Sequence, residues 1–378
     1  MEAWWALLLF ITVTAVLMAG YPVAFTLGGV SLWFAAIGIL TGWFDADFIA
    51  ALPNRLNGIL NNATLMAVPV FVFMGVVLEK AKLAESLLQN MAALLGSKKG
   101  GLGFALLIVG MLLAASTGIV GATVVTLGLL AMPVMQKHGY DPALSAGTIC
   151  ASGTLGQIIP PSIVLVLLSD VLSNAYQQAQ LDLQIFNPKT ISVQDLFLGA
   201  MIPGLMLVVL YAFYLFWVRF KHPDSMPAII TEQQPKLTEI LKSLIPPLFL
   251  ILAVLGSIIS GVAAPTEAAS VGSIGALLLA ALNSQLNINM LRESLKETVK
   301  VTAMVFMILI GAALFSLVFK GFHGDEAIQH FLNNLPGGKV MALLLVMILL
   351  FLLGFILDFI EITFVVIPIV GPILLMMG

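Results

Sequence analysis

Apolar runs of roughly a bilayer's width recur along this chain, at residues 4–19, 23–40, 101–115, 196–218, 244–259, 301–319 and 340–357. A helix needs about 20 mostly apolar residues to cross the hydrocarbon core. The runs therefore predict an all-α, polytopic transmembrane protein. Charged residues make up only 9% and the mean hydropathy is +1.10, against roughly 25% charged in soluble domains. A net charge of −3 offers nothing to nucleic acid, and the single cysteine, Cys150, excludes an intrachain disulfide framework. Residues 1–20 lack a basic n-region and lead through Tyr21-Pro22 into another apolar run. They read as a first transmembrane helix rather than a cleavable signal.

Basic residues suggest an orientation. With the N-terminus outside, Lys80, Lys82, Lys98, Lys99, Arg219, Lys221, Lys236, Lys242, Arg292, Lys296 and Lys300 fall in the cytoplasm, 11 of the 16 Lys and Arg, as the positive-inside tendency requires. The most polar connection, residues 221–242, divides the chain into a first membrane half (1–220, with a hairpin near 143–172) and a second (243–378). Landmarks repeat in the two halves. A polar segment (83–95; 327–335) precedes a glycine turn (GSKKGGLG; LPGGKV), a long apolar run and a proline, and Pro133 and Pro372 each stand six residues before a glycine. Paired halves with matching interrupted helices point to a secondary transporter with its site near the midplane.

Three stretches carry the candidate chemistry. ASTGIVGATVVTLG, residues 115–128, collects Ser116, Thr117, Gly118, Thr123 and Thr126 inside a span. Small residues of this kind serve helix packing. They serve equally as an unwound segment whose hydroxyls and carbonyls ligate a hard cation. GTLGQIIPPSI, residues 153–163, breaks its span with two glycines and Pro160-Pro161. Proline removes a donor and drives the preceding residue out of the helix, so a hairpin tip is expected, with Ser162 capping the returning helix. LDFIEIT, residues 357–363, places Asp358 and Glu361 in an apolar stretch, three apart and on one face if helical; intramembrane carboxylates usually face a cavity. In APTEAA, Pro265 breaks, Thr266 caps and Glu267 falls in the first turn, where it can cap or face a cavity.

An enzyme has little support here. No phosphate-binding G-x-x-x-x-G-K-[ST] occurs, and His138, His222, His323 and His330 are scattered. An intramembrane aspartyl protease built on Asp358 lacks a second aspartate in a comparable setting, Asp170 preceding a polar loop.

Taken together, ASTGIVGATVVTLG, the GTLGQIIPPS break, GVAAPTEAAS and ILDFIEITFVVIPIVGPIL resemble the large membrane subunit, the DctM type, of tripartite ATP-independent periplasmic (TRAP) transporters, across essentially the whole chain. The resemblance implies two inverted-repeat halves, re-entrant hairpins and a scaffold-plus-elevator arrangement in the bacterial inner membrane. It implies Na+-coupled import of an organic acid, such as a C4-dicarboxylate, delivered by a periplasmic binding protein, with a small four-helix membrane subunit as partner. By the same resemblance, one Na+ site falls at Ser116, Gly118, Gly156, Ile159 and Pro161, and part of a second at Asp358 and Thr363. Thr117, Thr123, Gln157, Ser162, Glu267 and Glu361 are then cavity residues. The family's second hairpin, a Thr-Pro-Pro-Val-Gly-like stretch, is not found before Gly378, so the 378-residue chain is expected to bind Na+ at no more than one site and to transport only once a family-like C-terminal continuation is restored. Residues 173–195 are expected to form a long polar outer loop. The alternatives are a proton-coupled organic-anion carrier relaying through Asp358 and Glu361, and a non-transporting membrane scaffold.

Overall fold

The structure, a computed structural model, describes residues 3–117, 120–228 and 237–377. The described residues form helices and connections, with no strand. Five helices are long and apolar enough to cross a membrane, six if one proline-interrupted pair counts as a span. The chain packs as two compact units, and each takes segments from both sides of the 221–242 connection.

The first unit comprises Met1–Leu65, Leu167–Ser192 and Lys300–Gly378. It contains α1 (Ala3–Met18), α2 (Val23–Thr41), the short α3 (Asp47–Ala50) and α4 (Leu52–Leu60). It also holds most of α10 (Ile163–Asp182) and of α14 (Ile288–Gly321), then α15 (Gly324–Asn333) and α16 (Gly338–Leu353). A last helical stretch runs through α17 (Phe359–Glu361), a π segment (Ile362–Val366) and α18 (Ile367–Met376). Its centre is aromatic. Phe322 is fully buried, stacks on Trp5 with ring centroids 6.1 Å apart, and meets Phe44 at 5.0 Å. Helix α2 stops where Gly42 takes φ +77 and Trp43 donates to the Gly38 carbonyl at 2.8 Å, the usual glycine exit from a helix.

The second unit comprises Met66–Val166 and Val193–Val299. It holds α5 (Ala67–Lys80), α6 (Leu83–Leu95), α7 (Gly101–Thr117), α8 (Val120–Lys137) and α9 (Pro142–Ile158). After these come α11 (Val193–Lys221), a short 3-10 turn, α12 (Leu237–Ile259) and α13 (Pro265–Leu282). Leu102, Leu106, Leu127, Met135, Leu155 and Met226 close its core. Helix α9 begins by simple local chemistry: Pro142 fits the first turn, and Asp141 Oδ1 accepts from the Leu144 amide at 2.8 Å.

The long outer loop expected at 173–195 is shorter. Helix α10 continues to Asp182 and α11 starts at Val193. The polar SNAYQQAQLD is helical, and its buried Gln180 clasps the remaining loop. Gln180 Nε2 donates to the Lys189 carbonyl and the Lys189 amide donates to Gln180 Oε1, both at 2.9 Å. Each such bond contributes about 1 kcal/mol net. Gln180→Ala is therefore expected to free the loop and speed its cleavage several-fold in limited proteolysis. An unchanged cleavage rate would show that the clasp does not order it.

Candidate functional site

The interruption forms where proline requires it. Ile159, before Pro160, is extended (φ −86, ψ 123) and ends α9. At the expected hairpin tip, α9 and α10 meet at a break with a 45° bend, the mark of a broken span or a re-entrant loop. Gly156, Pro160, Pro161 and Ser162 are buried, and Gln157 and Ile159 half-buried. Ser162 Oγ donates across the break to the Gln157 carbonyl at 2.8 Å, and the Ser162 carbonyl accepts from the Val166 amide at 3.2 Å. The hydroxyl thus satisfies an orphaned carbonyl at the end of α9, and the serine backbone starts α10.

Helix α9 can lie close to its neighbours because small residues face them. A Cβ on Gly153 would strike Val124 of α8, and one on Gly110 of α7 would lie 2.5 Å from Ser152 Cβ. Gly204 of α11 approaches the break itself, where a Cβ would lie 3.3 Å from Ile159 Cγ1. The glycines here are a packing requirement.

Of the hydroxyl-rich stretch, Ser116 and Thr117 form the last turn of α7, and α8 begins at Val120; Gly118 lies outside the described residues. From Val120 onward the stretch is regular helix rather than unwound. Thr123 is buried there, and Thr126 Oγ1 donates to Glu79 Oε1 of α5 at 2.9 Å. Residues 120–128 are thus part of a regular helix. Glu79 itself was missed in the sequence, because a Glu-Lys pair closing an apolar run looks like an ordinary helix end. Of the residues assigned to the first Na+ site, Ser116, Gly156, Ile159 and Pro161 belong to the second unit, on α7, α9 or the break.

Asp358, Glu361 and Thr363 belong to the first unit. Asp358 is exposed and extended (φ −74, ψ 164) and stands as the N-cap, not on a helix face with Glu361. Its Oδ1 accepts from the Phe359 amide at 2.8 Å, while Glu361 reaches back to accept from the Asp358 amide at 2.9 Å. The two acids form a reciprocal cap rather than a shared face. Glu361 is nonetheless only 6% exposed, as is Thr363 within the π segment. Single π turns concentrate at functional sites in helices. Glu267, in the second unit, is exposed and accepts from the Ala264 amide at 2.9 Å, so it caps α13.

An all-helical chain with five or six bilayer-length helices, one of them broken by paired prolines, has the architecture of a polytopic membrane transporter. Comparison with known proteins supplies the family. The model described as "Tripartite ATP-independent periplasmic transporter, DctM component" matches residues 10–378, and the chain belongs to that family. The C4-dicarboxylate TRAP transporter large permease protein DctM of Vibrio cholerae is 31% identical over 275 residues, 72% of this chain and 55% of that protein. Its namesake in Rhodobacter capsulatus is 29% identical over 384 residues, 99% of this chain and 82% of that one. The sialic acid TRAP transporter large permease protein SiaM of Vibrio cholerae is 30% identical over 360 residues, covering 94% and 78%. Among solved structures, the YdaH transporter of Alcanivorax borkumensis matches with a TM-score of 0.61 over 95% of this chain and 82% of its own, at 16% identity; the two share a fold. The chain is a multi-pass protein of the inner membrane and a transport permease rather than an enzyme.

Proposed function

We propose that the chain is the transport subunit of a Na+-coupled secondary importer for organic acids. It works with a periplasmic binding protein that delivers the acid and a small membrane subunit. The observation that carries the reading is the buried break at 159–162, closely approached by Gly204 of α11, in a family of transporters. An interrupted helix in a membrane frees carbonyls that hydrocarbon cannot satisfy and a coupling cation can. Ser116, in the last turn of α7, and Gly118, next in sequence after Thr117, carry oxygens of the type a hard cation takes. The named relatives handle C4-dicarboxylates and sialic acid, so the substrate class is a carboxylate; the delivery protein selects among them.

One observation favours a second reading, proton coupling through Glu361, because that carboxyl is buried inside the last helical stretch. Replacing Na+ by choline at fixed pH separates the two in the reconstituted transporter. Sodium coupling predicts that uptake falls to the background of protein-free vesicles. Uptake that persists in choline and follows an imposed proton gradient would transfer the coupling role to Glu361.

A further inference from the structure

The first unit holds a cavity of about 240 Å³ that plays no part in the reading above. Its polar wall comprises Arg55 of α4, Ser316 and Lys320 of α14, and Asp170, Asn174 and Gln178 of α10. Asp170 is already engaged by neutral partners: Asn62 Nδ2 donates to its Oδ1 at 2.7 Å and Asn174 Nδ2 to its Oδ2 at 3.5 Å. Lys320 Nζ donates to an amide oxygen, Gln178 Oε1, at 3.2 Å. Among the described residues, no carboxylate oxygen lies within 4.0 Å of either Arg55 or Lys320.

The two cations nevertheless act on one another, and Asp182 and Asp325 are the carboxylates whose charge reaches Lys320. Partial burial lowers the Arg55 guanidinium from its ordinary value, but a group of such basicity stays charged. Arg55 and Lys320 repel one another across a small cavity whose one carboxylate among the described residues, Asp170, leaves its wall net positive. An anion between them converts that repulsion into charge-assisted hydrogen bonds, for which arginine supplies a planar fork and lysine a point charge. Basic residues are scarce in this chain, and the positive-inside orientation leaves these two on the outer side, where an arriving anion meets them.

We propose that Arg55 and Lys320 form a binding site for a small oxyanion group, a carboxylate or a phosphate, in the cavity between α4, α10 and α14. Asn174 and Gln178 supply neutral donors beside it. The volume lies below the roughly 300–1,000 Å³ of typical ligand pockets, which suits a compact anionic group and not a sugar acid. The group can belong to a soluble anion or to the headgroup of an anionic lipid. The claim concerns binding, and it stands whether or not the bound anion is the one transported.

The test reads the thermal unfolding midpoint of the full chain in phosphatidylcholine nanodiscs. One arm titrates succinate and inorganic phosphate; the other raises the phosphatidylglycerol content. At least one anion is expected to raise the midpoint. Arg55→Gln and Lys320→Gln are each expected to raise its half-saturating level about tenfold or more, the loss that follows one charge-assisted hydrogen bond. Lys320→Arg keeps the charge and is expected to bind within about threefold of the native protein, which guards against a folding artefact. The anion-free midpoint reports folding separately. A response to succinate or phosphate in neutral discs assigns the site to a soluble anion, and a response to phosphatidylglycerol alone assigns it to a headgroup. Stabilisation that is absent, or indifferent to both residues, overturns the proposal.

Discussion

Ser116→Ala is expected to raise the half-saturating Na+ concentration for uptake by roughly 5- to 150-fold while membrane insertion stays normal. The reasoning starts at the end of α7, which closes at Thr117 while α8 opens at Val120. The last carbonyls of a helix have no intrahelical donor, and Ser116 falls in that last turn with a hydroxyl-bearing side chain. Removing one hydrogen-bonding or ligating oxygen from a buried set costs about 1–3 kcal/mol, which sets the range. Serine and alanine are nearly equal in volume, so a serine that only packs would leave the Na+ dependence where it is. Uptake measured against Na+ concentration decides between the two, and an unmoved half-saturation point removes Ser116 from the site.

The paired substitution Pro160→Ala, Pro161→Ala is expected to abolish most transport without preventing insertion. Proline inside a helix costs about 3 kcal/mol or more through its missing donor and its clash with the preceding turn. Two alanines lift that penalty and let α9 run directly into α10. The 45° bend would then straighten, and the Ser162 hydroxyl would lose the free Gln157 carbonyl it now bonds. Carbonyls available to a cation would return to intrahelical bonds. Uptake normalised to inserted protein is expected to fall at least tenfold, an order-of-magnitude figure for losing one charge-assisted contact. Normal uptake would reduce the break to a turn.

Much of this architecture was legible in the chain. Apolar runs gave α1, α2, α7, α11, α12, α14 and α16 because hydrocarbon tolerates little else over that length, and Pro160-Pro161 marked the break because proline acts locally. What escaped were features set by partners distant in sequence. The polar residues 173–182 read as a loop, yet they form the end of α10, with Gln180 held by Lys189. Asp358 and Glu361 have helical spacing, but the helix begins one residue after Asp358, so the pair caps. Asp170 read as a residue before a polar loop, yet it is engaged by Asn62, a residue 108 positions away. Within 115–128, the residues from Val120 on are regular helix, while Ser116 retains the ligand role as a proposal.

Paired fluxes test the central claim most directly. Proteoliposomes carrying the transporter with its partner subunits and binding protein receive an inward Na+ gradient and no other driving force. The delivered acid and radiolabelled sodium are counted in the same vesicles. Coupled import predicts that the acid accumulates above its external concentration and that Na+ enters with it in a fixed ratio, both lost together in the Pro160→Ala, Pro161→Ala protein. Acid that only equilibrates, or that accumulates with no accompanying Na+, would contradict the account.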